Sequence, residues 1–241
     1  MRAVLLAAGV GSRLRPLTDT TPKCLAPVLG RPLIDYWLER LFPCFERVLV
    51  NTHHLGGTVR AHIAHSPWRE RIDLVHEDEL LGTAGTLANN RDWLGEGPVL
   101  VAHADNLTDF DPEAFLAAHC DRPDGCVMTM LTFETDAPRT CGILELDERA
   151  VVQGFHEKVE DPPGVLANAA VYLIENEVLD TISALSGPVL DLSTQVIPEF
   201  VGRIFAVEHR GYHRDIGNLA SLAKANADFA LRPLPDQSKL S

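Results

Sequence analysis

The chain has 241 residues, 46% of them hydrophobic, which suffices for one large core or a core with a small appendage. Its formal net charge of −13 excludes general binding to nucleic acid or anionic membranes, because both need a basic face to neutralise phosphates. No apolar run approaches the roughly 18 residues that span a bilayer, and the five cysteines form no C-x-x-C pair, which points to a reducing, cytoplasmic setting rather than a disulfide framework or zinc ribbon.

Arg2 to Ala8 is a continuous apolar run ending at Gly9, too short for a buried helix and suited to a central parallel strand. The run meets no cleavage site and leads into a charged loop, so it does not read as a signal peptide. After the loop, Ile34, Trp37, Leu38, Leu41 and Phe45 fall at helical spacing behind Pro32. A strand at Arg47 to Asn51, a helix at Gly57 to His65, a strand at Ile72 to Glu77, a helix at Ala84 to Trp93 and a strand at Pro98 to Asp105 continue the alternation. This βαβ series predicts a Rossmann-like, mostly parallel sheet with helices on both faces. From Cys126 the pattern changes to four β-like runs, CVMTMLTFE, GILELDE, VVQGFHEK and LANAAVYLI, which predicts a mixed or antiparallel portion. A helix near Ser193 to Phe200, a strand near Arg203 to Glu208 and a helix from Gly217 to Leu231 close the fold, and RPLPDQSKLS is expected to fray. The reading is one domain, 1–241, with a nucleotide part (1–125) and a second part (126–241).

The loop LAAGVGSRLRPLTDTTPKCLAP carries Arg13, Arg15 and Lys23 against one acid, Asp19, in an otherwise acidic chain. Such local charge needs a local anionic target. A dinucleotide fingerprint fails at Leu14, where a glycine is required, and no G-K-[ST] tripeptide exists for a Walker loop. Gly9 and Gly11 nevertheless allow the backbone from Ala8 to Ser12 to approach phosphates closely, while Arg13 offers a rigid fork and Lys23 a point charge.

This stretch resembles the signature of the sugar-1-phosphate nucleotidyltransferase family, G-x-G-[ST]-R-[LM]-x-P-L-T followed by P-K-x-L-x-P. The blocks LLGTAG, HADNLTD, GFHEK, NAAVY and YHRDIGN resemble later family blocks in order, and LGTAG is similar to that of mannose-1-phosphate guanylyltransferases. The resemblance implies attack by a sugar-1-phosphate oxygen on the α-phosphorus of a nucleoside triphosphate, with loss of pyrophosphate. By the same resemblance Arg13 holds the β- and γ-phosphates, Lys23 lies near the α-phosphate, and Asp105 and Asp215 share one Mg²⁺. Lys158 is placed on the sugar phosphate, with Glu157, Asn168 and the Gly142 backbone at the sugar. The family's N-A-G appears here as Asn168, Ala169 and Ala170, a methyl group expected to narrow the pocket. Strand alternation argues against an ion pair between the neighbours Glu157 and Lys158. The left-handed β-helix repeats of some relatives are not expected.

Glu77 stands five residues before Gly82, where pyrimidine-using relatives often carry glutamine. A carboxylate accepts side by side from the N1–H and N2–H₂ of guanine, so GTP is the expected donor, with backbone groups at Gly82 and Thr83 as the alternative readers. Uridylyl- or thymidylyltransfer, cytidylyltransfer to a non-sugar phosphate and a silent regulatory relative remain rivals. The partners expected are small molecules, NTP and sugar 1-phosphate, with homo-oligomer formation left open. His53, His54, His62 and His65 match no metal motif and read as structural or surface residues, and Cys24 as a small buried one.

Overall fold

β1 (Arg2–Leu6) is buried on both faces because helices cover both sides of the sheet it centres. The computed structural model describes residues 1–231, so the RPLPDQSKLS stretch lies outside the described residues. A short ribbon, β2 (Pro27–Val28) with β3 (Arg31–Pro32), leads into α1 (Leu33–Leu41), and then come β4 (Arg47–Thr52), α2 (Gly56–Ala64) and β5 (Ile72–His76). α3 (Gly82–Asn89) and α4 (Arg91–Leu94) occupy the span expected to be one helix, broken at Asn90. β6 (Val99–His103), β7 (Asn106–Thr108) and α5 (Pro112–Cys120) complete the first half.

The second half runs β8 (Met128–Glu134), β9 (Gly142–Leu146), β10 (Val152–Glu157), β11 (Leu166–Ile174), α6 (Asn176–Ala184), β12 (Ile204–Glu208), β13 (His213–Asp215) and α7 (Leu219–Ala230). The helix expected near Ser193 to Phe200 is instead a wide turn, Leu192–Val196, followed by a 3-10 turn, Ile197–Phe200; Pro198 has no N–H to continue an α ladder there. α5 and α6 were not anticipated, although Asp111 caps α5 by accepting from the Glu113 and Ala114 amides, and Pro112 follows it.

The main sheet has the order β10-β9-β11-β6-β1-β4-β5, with β8 joined to β11 and β12 to β8. β1, β4, β5 and β6 are parallel, whereas β11 is antiparallel to both β6 and β8, as the change of pattern after Cys126 implied. Alternation sorts the core. Ala3, Leu5, Val48, Val50, Leu100 and Ala102 pack beneath α1, α2 and α5. Val4, Leu6, Leu49, Val99 and Val101 pack beneath α3, α6 and the 192–200 turns. Among the described residues no helix is long and apolar enough to cross a membrane, and the five cysteines are all free.

Candidate functional site

The chain leaves β1 toward β4 and β5 on one side and returns to β6 on the other. The loop after β1 therefore opens over a reversal of strand order, at the carboxyl edge where open α/β sheets hold ligands. In that loop Gly11 has φ +67, and a Cβ on it would lie 2.8 Å from the Thr18 methyl and 3.3 Å from Lys23 Cβ. Only glycine fits so close an approach at that φ. The Thr18 hydroxyl donates to the Gly11 carbonyl at 2.8 Å, closing the loop back on itself and bringing Lys23 beneath it.

Lys23 is 9% exposed and its ammonium donates to Asp105 Oδ2, with Asp215 Oδ1 at 3.5 Å. The backbone explains the meeting. Asp105 ends the turn after β6, and β7, which follows directly, pairs with β13 so that Asp215 stands opposite Asn106. The Ile216 amide then donates to the Asp105 carbonyl at 2.9 Å. Arg13 reaches the same point: a Cβ on Gly217 would lie 2.5 Å from Asp215 Oδ2 and 3.2 Å from an Arg13 Nη atom. The structure thus brings Arg13, Lys23, Asp105 and Asp215 into one cluster.

Electrostatics separate the members of the cluster. Burial disfavours the Lys23 ammonium, but Asp105 and then Asp215 outweigh it, and the Lys23 pKa is raised. Burial likewise opposes the Asp105 carboxylate, yet Lys23 and His103 hold its pKa below the usual range. Asp215 moves the other way, raised by desolvation and by the neighbouring Asp105 charge. One lysine does not neutralise both carboxylates.

The Leu80–Gly85 block is braced from outside. Gly82 has φ +81, and a Cβ there would lie 2.3 Å from the Leu190 carbonyl oxygen. That carbonyl accepts from the Ala84 and Gly85 amides at 3.0 and 3.2 Å, while the Leu190 amide donates to Leu81 at 2.8 Å. The Thr83 hydroxyl donates to Asp191 Oδ2 at 3.1 Å and accepts from the Leu192 amide at 2.7 Å. The backbone N–H groups of Gly82 and Thr83 take no part in these bonds.

Glu77 departs from its expected role. It is 5% exposed, and its Oε1 accepts from Asn51 Nδ2 at 2.8 Å and from the Thr86 hydroxyl at 2.6 Å, while Oε2 accepts from the Leu81 amide at 3.2 Å. A carboxylate so engaged faces the protein, not a nucleobase. Spacing gave its distance from Gly82 but not its direction.

The second-half residues gather at the far end of β11. Gly142 pairs with Glu157 across β9 and β10, and a Cβ on Gly142 would lie 2.7 Å from Glu157 Oε2. Lys158 has φ +49 and pairs with Glu157 Oε1 at 2.7 Å, its side chain 64% exposed. The expected absence of that pair is corrected, since β10 ends at Glu157 and alternation stops with it. Asn168 caps a bulge in β11: its Oδ1 accepts from the Ala170 amide at 2.8 Å and its Nδ2 donates to the Tyr172 hydroxyl at 2.7 Å. Ala170 stands in the bulge at φ +53. The family's glycine is thus replaced where the backbone is left-handed, and the methyl group costs conformational strain as well as space. Asn106 Nδ2 donates to the Ala169 carbonyl at 3.2 Å, linking the bulge to the carboxylate ribbon.

The histidines hold structural partners: His53 the Glu77 carbonyl, His54 the Thr18 carbonyl, His62 Asp35 and His65 the Ala61 carbonyl. Asn51 and Asp191 were not singled out by sequence. A polar side chain closing the apolar run RVLV was the available signal for Asn51.

A glycine loop with cations and carboxylates over the switch point of an open parallel sheet defines a nucleotide-binding α/β protein. Within that class, the chain belongs to the nucleotidyl transferase family, whose model matches residues 2–231. It is 31% identical over 233 residues to a mannose-1-phosphate guanylyltransferase of Mycobacterium tuberculosis, covering 94% of this chain and 64% of that protein. A UTP–glucose-1-phosphate uridylyltransferase of Synechocystis is 29% identical over 218 residues, or 83% of this chain and 55% of that one. The chain thus spans less than two thirds of the length of these curated relatives. Among solved structures, a Bacillus anthracis protein provisionally assigned as a glucose-1-phosphate thymidylyltransferase superposes with TM-score 0.85 at 24% identity, covering 99% of both chains. HddC of Yersinia pseudotuberculosis complexed with GMP-PN gives TM-score 0.76 at 23% identity over 95% of this chain and 99% of that one. These two likenesses bear on the fold.

Proposed function

We propose that the protein transfers a nucleoside monophosphate from an NTP, with GTP as the preferred donor, to a sugar 1-phosphate, releasing pyrophosphate. The observation that carries this reading is Lys23 held between Asp105 and Asp215 beside Arg13, at the mouth of a glycine loop. Attack of a phosphate oxygen on the α-phosphorus sets like charges together, and the leaving pyrophosphate gathers more, so positioning and neutralisation dominate the chemistry. Lys23, held and kept charged by the two carboxylates, would be the cation beside the two phosphates. Arg13, exposed on its turn, is free to fold over the departing pyrophosphate. Lys158 and Glu157, paired at the far end, can open to a sugar phosphate and its hydroxyls.

Asp105 and Asp215 suit a Mg²⁺ ion. Both present oxygen, the ligand a hard cation takes, and the pKa of Asp215 is raised first by burial and then by the neighbouring Asp105 charge, so added positive charge would favour its ionised form. Held by Asp105 and Asp215, the ion would supply positive charge to offset the negative charge of the phosphates. The guanine preference is supported by the mannose-1-phosphate guanylyltransferase relative, with the Gly82 and Thr83 amides replacing Glu77 as candidate readers.

The test is a pyrophosphate-release screen in Mg²⁺ that crosses GTP, UTP, dTTP, CTP and ATP with mannose 1-phosphate, glucose 1-phosphate and other sugar and cyclitol 1-phosphates. Highest kcat/KM with GTP is expected. Release with UTP or dTTP in preference to GTP overturns the base assignment, and no release with any pair overturns the reaction.

A further inference from the structure

Asn51 closes β4 with an amide that is 3% exposed and whose polar atoms are all used. Its Oδ1 accepts from the Ala7 amide, the first residue of the glycine loop, at 2.6 Å. Its Nδ2 donates to Glu77 Oε1 at 2.8 Å and to the Thr86 hydroxyl at 2.9 Å. The amide's orientation is set by its partners, because a backbone N–H only donates and a carboxylate only accepts. Glu77 carries the connection onward to the Leu81 amide at 3.2 Å, at the entrance to the Gly82–Thr83 turn. One buried chain of bonds, Ala7 to Asn51 to Glu77 to Leu81, therefore joins the loop that would hold phosphates to the loop that would hold the base. β4 lies between β1 and β5 in the sheet, so the connection crosses a single strand from the loop after β1 to the segment after β5.

We propose that the Asn51–Glu77 bridge is a spacer that fixes the separation of these loops, so that the triphosphate and the base of one nucleotide are held in register. Both are positioning residues that act through the backbones of Ala7 and Leu81 and do not touch the nucleotide. The proposal rests on the nucleotidyltransferase reading. It explains why a carboxylate is buried at position 77: three donors converge on it, and loss of one leaves a buried acceptor unpaired. A pyrophosphate molecule spans only the glycine loop and is indifferent to the spacing, whereas a whole NTP is not.

The experiment compares calorimetric binding of GTP, UTP and inorganic pyrophosphate, in Mg²⁺, by the wild type, Asn51→Asp, Glu77→Gln and the double exchange Asn51→Asp/Glu77→Gln, with melting temperatures recorded for each. Either single variant sets like groups against each other and should lose at least tenfold in affinity for the better nucleotide, while pyrophosphate binding stays within about threefold. The double exchange reverses donor and acceptor between the two side chains, still offers acceptors to Ala7 and Leu81, and should recover nucleotide affinity to within a few fold. Pyrophosphate and nucleotide affinities falling together with the melting temperature, or single variants that bind nucleotide normally, would overturn the spacer. So would an exchange that rescues nothing while folding normally. Glu77→Gln, which keeps side-chain volume, carries the comparison if Asn51→Asp does not fold. A wild type that binds neither nucleotide instead removes the reading beneath the proposal, and that arm is distinct from the variants.

Discussion

The two ends of the candidate site are built by opposite means. At the carboxylate end, Lys23, Asp105 and Asp215 are placed by a buried strand and a hydrogen-bonded ribbon, and the charges meet with little freedom. At the proposed sugar end, Glu157 and Lys158 hang from the end of β10, and Asn168 rests on a bulge that needs left-handed backbone at Ala170. Rigid scaffolding suits chemistry that is common to every substrate. A bulge and an exposed lysine suit the part that distinguishes one acceptor from another.

The strongest way to break this contrast is at the carboxylates. Asp105→Asn and Asp215→Asn should each lower kcat by about 10²–10³-fold, as losses of transition-state charge stabilisation do. Their effects on stability should differ in sign. The depressed pKa of Asp105 gives stability that is present above the unfolded value of 3.8 and is lost as pH falls through the lower folded pKa, so Asp105→Asn should melt earlier at pH 7. The raised pKa of Asp215 means its ionised form opposes folding above 3.8, so Asp215→Asn in metal-free buffer should melt no earlier than wild type. Thermal scans of both variants at pH 7 check this, and a shared direction would defeat the charge assignment.

Next in size, Arg13→Ala should lower kcat by about 10²-fold with a smaller change in the KM for NTP, because its bonds strengthen as pyrophosphate leaves. Initial rates across both substrates separate the two parameters, and an effect confined to KM would contradict the role. At the other end, Lys158→Ala should raise the KM for the sugar phosphate by about tenfold, a loss on the scale of a charge-assisted bond. The melting temperature should hold, since exposed ion pairs are worth about 0–1 kcal/mol. A drop in stability comparable to that of Asp105→Asn would show the sugar end to be as structural as the carboxylate end.

The smallest effect sharpens the comparison most directly. Ala170→Gly removes a Cβ from a residue at φ +53 and should stabilise the fold by about 1 kcal/mol, the scale of left-handed strain in a non-glycine residue. Denaturant melts would register it. A destabilised glycine variant would mean the methyl group is favourably packed and the bulge unstrained.

What sequence conveyed follows the same division. Arg13, Lys23, Asp105 and Asp215 sit in contiguous blocks whose order was readable, and the βαβ alternation placed three of them at strand ends or in the first loop. Their convergence depends on the pairing of β7 with β13, three-residue strands too short to show periodicity. Glu77 was misread because residue type states what a side chain can accept, while its direction was decided by Asn51 and Thr86. The Glu157–Lys158 ion pair escapes the alternation argument because the strand ends at Glu157, one position before that argument requires. α5 carries a legible Asp-Pro start, and α6 a helical spacing of Val178, Leu179 and Ile182, signals that the sequence reading does not use.

The β7–β13 ribbon also orders events during synthesis. Domains fold with their earlier segments emerging first, and contacts distant in sequence form late. The glycine loop, Lys23 and Asp105 all lie in the first half of the sequence, so the ammonium and the carboxylate it pairs with emerge early. Asp215 joins only when β13 has left the ribosome and docked on β7. The second acid of the pair is thus the last of the four charged groups to be installed, and the site stays chemically unfinished until β13 has been made.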